Sequence, residues 1–145
     1  MNTKRLITGG IVAGVVFFLL GWLFYGYLLV DFFASNSGTA TGVSRDEESM
    51  LIWAVFLGNL LFGFLFSYVF EKAGIRSFVS GFTSGSVIGF LTSSAIDLTM
   101  YGTSHLMNTT ALAVDIAVFT IMAAIAGGAA GATMGTNNKT TNPPL

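Results

Sequence analysis

The feature that most restricts this chain is the length of its apolar runs. A helix crossing a bilayer needs about 20 mostly apolar residues, because the hydrocarbon layer is about 30 Å thick and each helical residue advances about 1.5 Å. Four segments meet that requirement, roughly residues 6–30, 50–70, 78–100 and 109–134. The rest of the 145 residues is enough for short links and a tail. Charged residues make up 9% of the chain, against about 25% in an ordinary soluble domain. A soluble body of this size would still expose about 30% of its extended-chain surface, too much to hide a composition that is 53% apolar. The expected fold is therefore an all-α integral membrane four-helix bundle with short loops. It forms one domain over residues 1–135, with helices over about 6–33, 45–73, 77–101 and 108–135. Residues 136–145, with Pro143 and Pro144, read as a disordered tail.

Lys4 and Arg5 precede the first run in the manner of a secretory signal, but a signal's apolar region spans only about 7–15 residues. Here the run continues to Phe33, which predicts a retained helix. Lys4, Arg5, Lys72, Arg76 and Lys139 fall on one side of the predicted topology and Arg45 alone on the other. By the positive-inside rule both termini are expected in the cytoplasm. Ser44 followed three residues later by Glu47 has the spacing of a capping box and predicts that the second helix starts in the aqueous layer. Gly74 is placed to end that helix in the left-handed conformation. The resulting turn is short, so the second and third helices are expected to be antiparallel neighbours.

Lipid tails are as apolar as leucine, so membrane helices associate through close contacts between small residues and through interhelical hydrogen bonds. Gly81, Gly85 and Gly89 recur every four residues in the third helix, and Gly127, Gly131 and Gly135 do so in the fourth. Gly10 and Gly14 give the first helix a shorter row. Such rows predict helix packing, either within one chain or at a homodimer seam. Trp22, Tyr25, Tyr27 and Trp53 read as an outer interfacial belt and Tyr68 as an inner one.

Two charges break the pattern. Asp97 and Asp115 sit inside the apolar stretches SSAIDLTM and ALAVDIAV, where an aspartate costs about 2.5 to 3.5 kcal/mol on insertion scales. Each lies nine residues from the midpoint of the intervening turn near Leu106, so an antiparallel hairpin brings them to one depth. Asp97 also extends the row through Gly81, Gly85, Gly89 and Ser93, and Asp115 begins the row that leads to Gly135. If these rows face each other the two carboxyl groups meet. Two carboxylates in a weakly solvated site cannot both ionise cheaply, so such a pair could share a proton. Ser93 and Asn59 are expected to complete a polar binding site in the outer half, with Ser94, Thr99, Tyr101 and His105 nearby.

The same residues narrow the function. A net charge of −1 without a basic cluster gives no footprint for nucleic acid. With no cysteine and one histidine, neither a disulfide, a thiolate zinc site nor an iron-sulfur cluster is expected, and no cofactor or metal is called for. The aspartates lack the tyrosine-aspartate and glycine-x-glycine-aspartate signatures of intramembrane proteases, and no residue is assigned a catalytic role. The expected protein is a non-catalytic membrane component or accessory subunit, alone, as a homo-oligomer or in a larger complex. The alternative is a proton- or cation-coupled transporter or channel working through Asp97 and Asp115 on a small ligand of unknown identity.

Gly21-Trp22-Leu23-Phe24-Tyr25-Gly26, followed by Leu29-Val30-Asp31, together with Ile96-Asp97-Leu98-Thr99-Met100-Tyr101-Gly102 and Val114-Asp115-Ile116, resembles small bacterial four-helix membrane proteins catalogued as domains of unknown function. The similarity runs over most of residues 6–135. It implies a four-helix protein of the bacterial inner membrane and supplies no substrate or activity.

Overall fold

The computed structural model describes residues 1–45 and 48–136. Among them the regular structure is helical, apart from one isolated antiparallel bridge between Ser37 and Met107. Helix α1 covers Thr3–Leu23 and runs into a π-helical turn, Phe24–Leu28, before a short helix α2, Val30–Ser35. Helices α3 (Ile52–Ala73), α4 (Phe78–Thr103) and α5 (Thr109–Thr136) follow. Four of these stretches, Thr3–Leu28, Ile52–Ala73, Phe78–Thr103 and Thr109–Thr136, are long and apolar enough to cross a membrane. The chain begins and α5 ends at the same end of the bundle as the 74–77 turn, called here the terminal end. Residues 36–45, 48–51 and 104–108 form the opposite, loop end.

The helix boundaries follow local chemistry. Asn2 caps α1 by accepting a hydrogen bond from the Arg5 backbone N–H at 3.2 Å. Gly74 ends α3 at φ 72° and ψ 22°, a left-handed conformation that glycine adopts without steric cost. Arg76 then donates to the carbonyls of Phe70 and Ile75 and pairs with Glu71 at 2.8 Å. Three expectations change. The first helix is not continuous to Phe33: the Leu29 N–H bonds five residues back to Phe24, and Leu29 itself leaves the helix at φ −117° and ψ 11°. The second helix begins at Ile52 and not near residue 45, without a side-chain cap. The capping box falls instead at α4, where Ser77 and Ser80 cap each other. Glu47, half of the expected box, and the tail from residue 137 lie outside the described residues.

Packing departs from chain order. Helix α3 lies along α1, α1 also packs on α5, and α5 packs on α4. The short turn ties α3 to α4 at one end only, so these two are not the expected packed neighbours. Small residues decide the pairing. A Cβ on Gly63 would sit 2.7 Å from the Gly14 Cα, and one on Gly14 would sit 2.7 Å from the Leu60 Cα. Gly10 and Gly14 thus serve the α1–α3 seam with Gly63, which the sequence reading left out. Along α4 and α5 the glycine rows interlock within the chain. A Cβ on Gly85 would lie 3.1 Å from the Gly127 Cα, one on Gly81 3.1 Å from the Gly131 Cα, and one on Gly89 would overlap the Ala123 methyl. A Cβ on Gly135 would meet the Arg76 carbonyl. The core between α1, α3 and α5 is filled by Phe17, Phe66, Phe70, Met122 and Met134 with small alanines. Phe17 packs edge-on against Phe62 and Phe66.

Candidate acid-pair site

The glycine seam places the acids. Moving from Gly81 to Gly85 to Gly89 on α4 is matched by moving back from Gly131 to Gly127 to Ala123 on α5. Two more steps of four residues pass Ser93 and Phe119 and bring Asp97 opposite Asp115. The structure confirms the juxtaposition: both aspartates line one cavity of about 200 Å³ with Thr92, Ser93, Ile96 and Phe119. Helical periodicity keeps Asp97 on the same buried face as Gly81, Gly85, Gly89 and Ser93. Asp97 is 7% exposed, and no donor among the described residues reaches its Oδ2, so the carboxyl group of Asp115 beside it is a hydrogen-bond partner only when one of the two is protonated. A buried polar atom left in that condition is costly and calls for an explanation.

Asp115 is half-buried and better provided for. The Tyr25 hydroxyl, carried by the π-helical turn, donates to its Oδ1. A π-helical turn inserts a residue into the helix and rotates the positions that follow, and such bulges recur at functional sites. Tyr25 is the residue that the interfacial-belt reading missed. The other aromatics read as the outer belt, Trp22, Tyr27 and Trp53, are each at least 66% exposed. The available signal was depth, because in the helices expected from sequence Tyr25 lies eight residues before Phe33 and Asp115 seven after residue 108.

Asp115 also lines a second cavity, of about 210 Å³, that reaches the loops through Ser37, Ser44 and Met107. The roof is a clamp between two loops. The Gly38 N–H donates to the Leu106 carbonyl and the Ala40 N–H to the His105 carbonyl, each at 3.1 Å, and Asn108 bonds Asn36 through both backbone and side chain. A Cβ on Gly38 would overlap the His105 carbonyl, so the two strands approach this closely because residue 38 is glycine.

The other expected members of the site are dispersed. Ser93 is buried at the acid cavity and donates to the Phe90 carbonyl at 3.4 Å. Asn59 is not brought to the acids: it donates to the Val55 carbonyl on its own helix at 2.8 Å and lines two neighbouring apolar cavities. The reason is the packing order, since α3 lies against α1 and leaves a groove between itself and α4. Thr99 bonds back to Ala95, and Tyr101 and His105 line a separate cavity at the loop end.

Fold and site together define a helical, multi-pass membrane protein with two adjoining carboxyl groups, one buried and one half-buried. Comparison of the chain with known protein families, curated proteins and solved structures finds no match.

Proposed function

We propose that this chain is a non-catalytic membrane component whose acid pair, Asp97 and Asp115, forms a binding site for a proton or another cation in the outer half of the membrane. Lys4 and Arg5 open α1 beside Lys72 and Arg76 at the end of α3, and the Asn2 N–H bonds Glu71 across that end at 2.7 Å. By the positive-inside rule this is the cytoplasmic side, which leaves the loop end outside. The resemblance to small bacterial four-helix proteins supports a bacterial inner membrane. The observation that carries the reading is the position of Asp115 between two cavities, one leading to the loops and one holding Asp97.

That same observation favours a second reading, a proton- or cation-coupled carrier, because a site reached from two directions is what exchange between phases requires. In both readings the pair holds a proton whenever no other cation is bound, since two carboxylates in a weakly solvated site cannot both stay ionised. Infrared difference spectra of the full chain in nanodiscs, recorded across a pH jump, should show a protonated-carboxyl C=O band that Asp97→Asn or Asp115→Asn shifts or removes. An unchanged carboxyl region in the parent protein would rule out both.

A further inference from the structure

Among the described residues the acid pair has no cation of its own, and Arg45, at the loop end, donates to the Ser49 carbonyl. No Lys or Arg occurs between residues 78 and 136, the basic residues of α1 and α3 lie at the terminal end, and the Arg76–Glu71 pair lies there too. Asp97 adds to this a buried carboxyl oxygen in a cavity wall that no donor among the described residues reaches when both acids are ionised. An ionised carboxylate in such surroundings is stable only with a compensating positive charge. Whatever occupies the site when it is ionised must be cationic.

The walls limit which cation. Phe119 and Ile96, which bound the acid cavity, also bound a groove of about 350 Å³ between α3 and α4, floored by Phe17 and Phe62 and edged by Val55. Phe119 further lines a cavity of about 360 Å³ with Trp22, Tyr25 and Met122. These volumes fall in the range of about 300–1,000 Å³ typical of small-molecule sites. Apart from Asn59, the groove is walled by carbon side chains and a glycine. A hydrated metal ion would gain nothing from that surface, whereas an organic cation with an apolar body would bury the body there and find aromatic faces for its charge. The groove also opens sideways: Val55 is 44% and Ile96 is 52% exposed, and both lie within spans that face the bilayer.

We infer that the site takes a lipophilic monovalent organic cation, of the quaternary ammonium or phosphonium class, which enters from the bilayer between α3 and α4 and places its charge at Asp97 and Asp115. The inference rests on the acid-pair reading above and adds to it the ligand class and the route.

The test is equilibrium binding of radiolabelled tetraphenylphosphonium to the full chain in nanodiscs, with tetraphenylborate as the anion of matching shape. Saturable binding of the cation alone is expected, weakened about tenfold or more by Asp97→Asn and by Asp115→Asn, since removing one partner of a desolvated charge contact is costly. Val55→Trp, which fills the mouth of the groove and leaves both acids in place, should weaken binding to a similar degree. Thermal unfolding of each variant establishes that it is folded. Absence of saturable binding, equal binding of the anion, or undiminished binding in both asparagine variants would overturn the inference. The carboxyl infrared band separates the two levels: with the band present and no cation bound, the ligand class fails and the protonatable site stands. If the band is missing as well, both fail.

Discussion

The α4–α5 seam allows one residue's contact to be tested against another's. A Cβ placed on Gly89 meets the methyl of Ala123, while its next neighbours, the Phe119 carbonyl and the Thr120 Cα, are at an ordinary 3.6 Å. Gly89→Ala should therefore cost about 1–3 kcal/mol, the usual range for overpacking a tight interior. Ala123→Gly removes a fully buried methyl and adds backbone freedom, for a loss of about 1 to 2 kcal/mol. Acting independently, the two changes would sum to about 2 to 5 kcal/mol. Together they only move one methyl from α5 to α4, so the double variant should lie within about 1 kcal/mol of the parent. Gly85→Ala supplies the control, because its Cβ would meet the Ala123 backbone carbonyl and not the methyl. Ala123→Gly cannot relieve that overlap, and the pair should show no rescue. Reversible unfolding in mixed micelles, followed by circular dichroism, measures the parent and all five variants. Additive costs for the Gly89 pair, or rescue of Gly85→Ala, would mean that the helices do not meet in this register.

Further outcomes follow from the site and its supports. Tyr25→Phe deletes the hydroxyl that binds Asp115 and should lower stability by about 0.6 kcal/mol, the average for membrane hydrogen bonds, while shifting the carboxyl infrared band; a band identical to that of the parent would refute the contact. Gly38→Val should force the loop clamp open and speed amide exchange at Gly38, Ala40 and Asn108, with α4 and α5 unaffected below residue 100 and above residue 115. Glu71→Ala strips the Asn2 N–H of its acceptor and Arg76 of its carboxylate partner, at a cost of about 1.5–3 kcal/mol read by thermal melting. Gly85→Leu should abolish folding or assembly, whereas Asp97→Asn should leave the fold intact and change binding, a contrast checked by expression and melting of both variants.

The sequence carried more of the site than its composition suggests. Asp97, Asp115 and Ser93 could be brought together because a period of four along both helices fixes which residues share a face, and a short turn fixes the pairing of depths. Asn59 was misassigned for the complementary reason. Nothing in α3 announces that Gly63 seeks α1, so a polar residue at the right depth was credited to the wrong neighbour. Tyr25 escaped because the change from α to π winding is invisible in hydropathy, and the π turn carries the hydroxyl that donates to Asp115.

Sequence alone determined that the chain has four membrane-length helices, that Gly74 stops one of them, and that the last two mesh along their glycine rows. These are properties of adjacent residues: apolar length, a left-handed backbone site, and a spacing that repeats every turn. Tertiary structure decided that α3 turns away from α4 to lie on α1, that Tyr25 reaches Asp115, and that a groove remains beside Phe119. Because lipid and leucine are equally apolar, hydrophobicity does not tell a membrane helix which way to face. That choice falls to the fit of whole surfaces, which exists only once the helices are assembled.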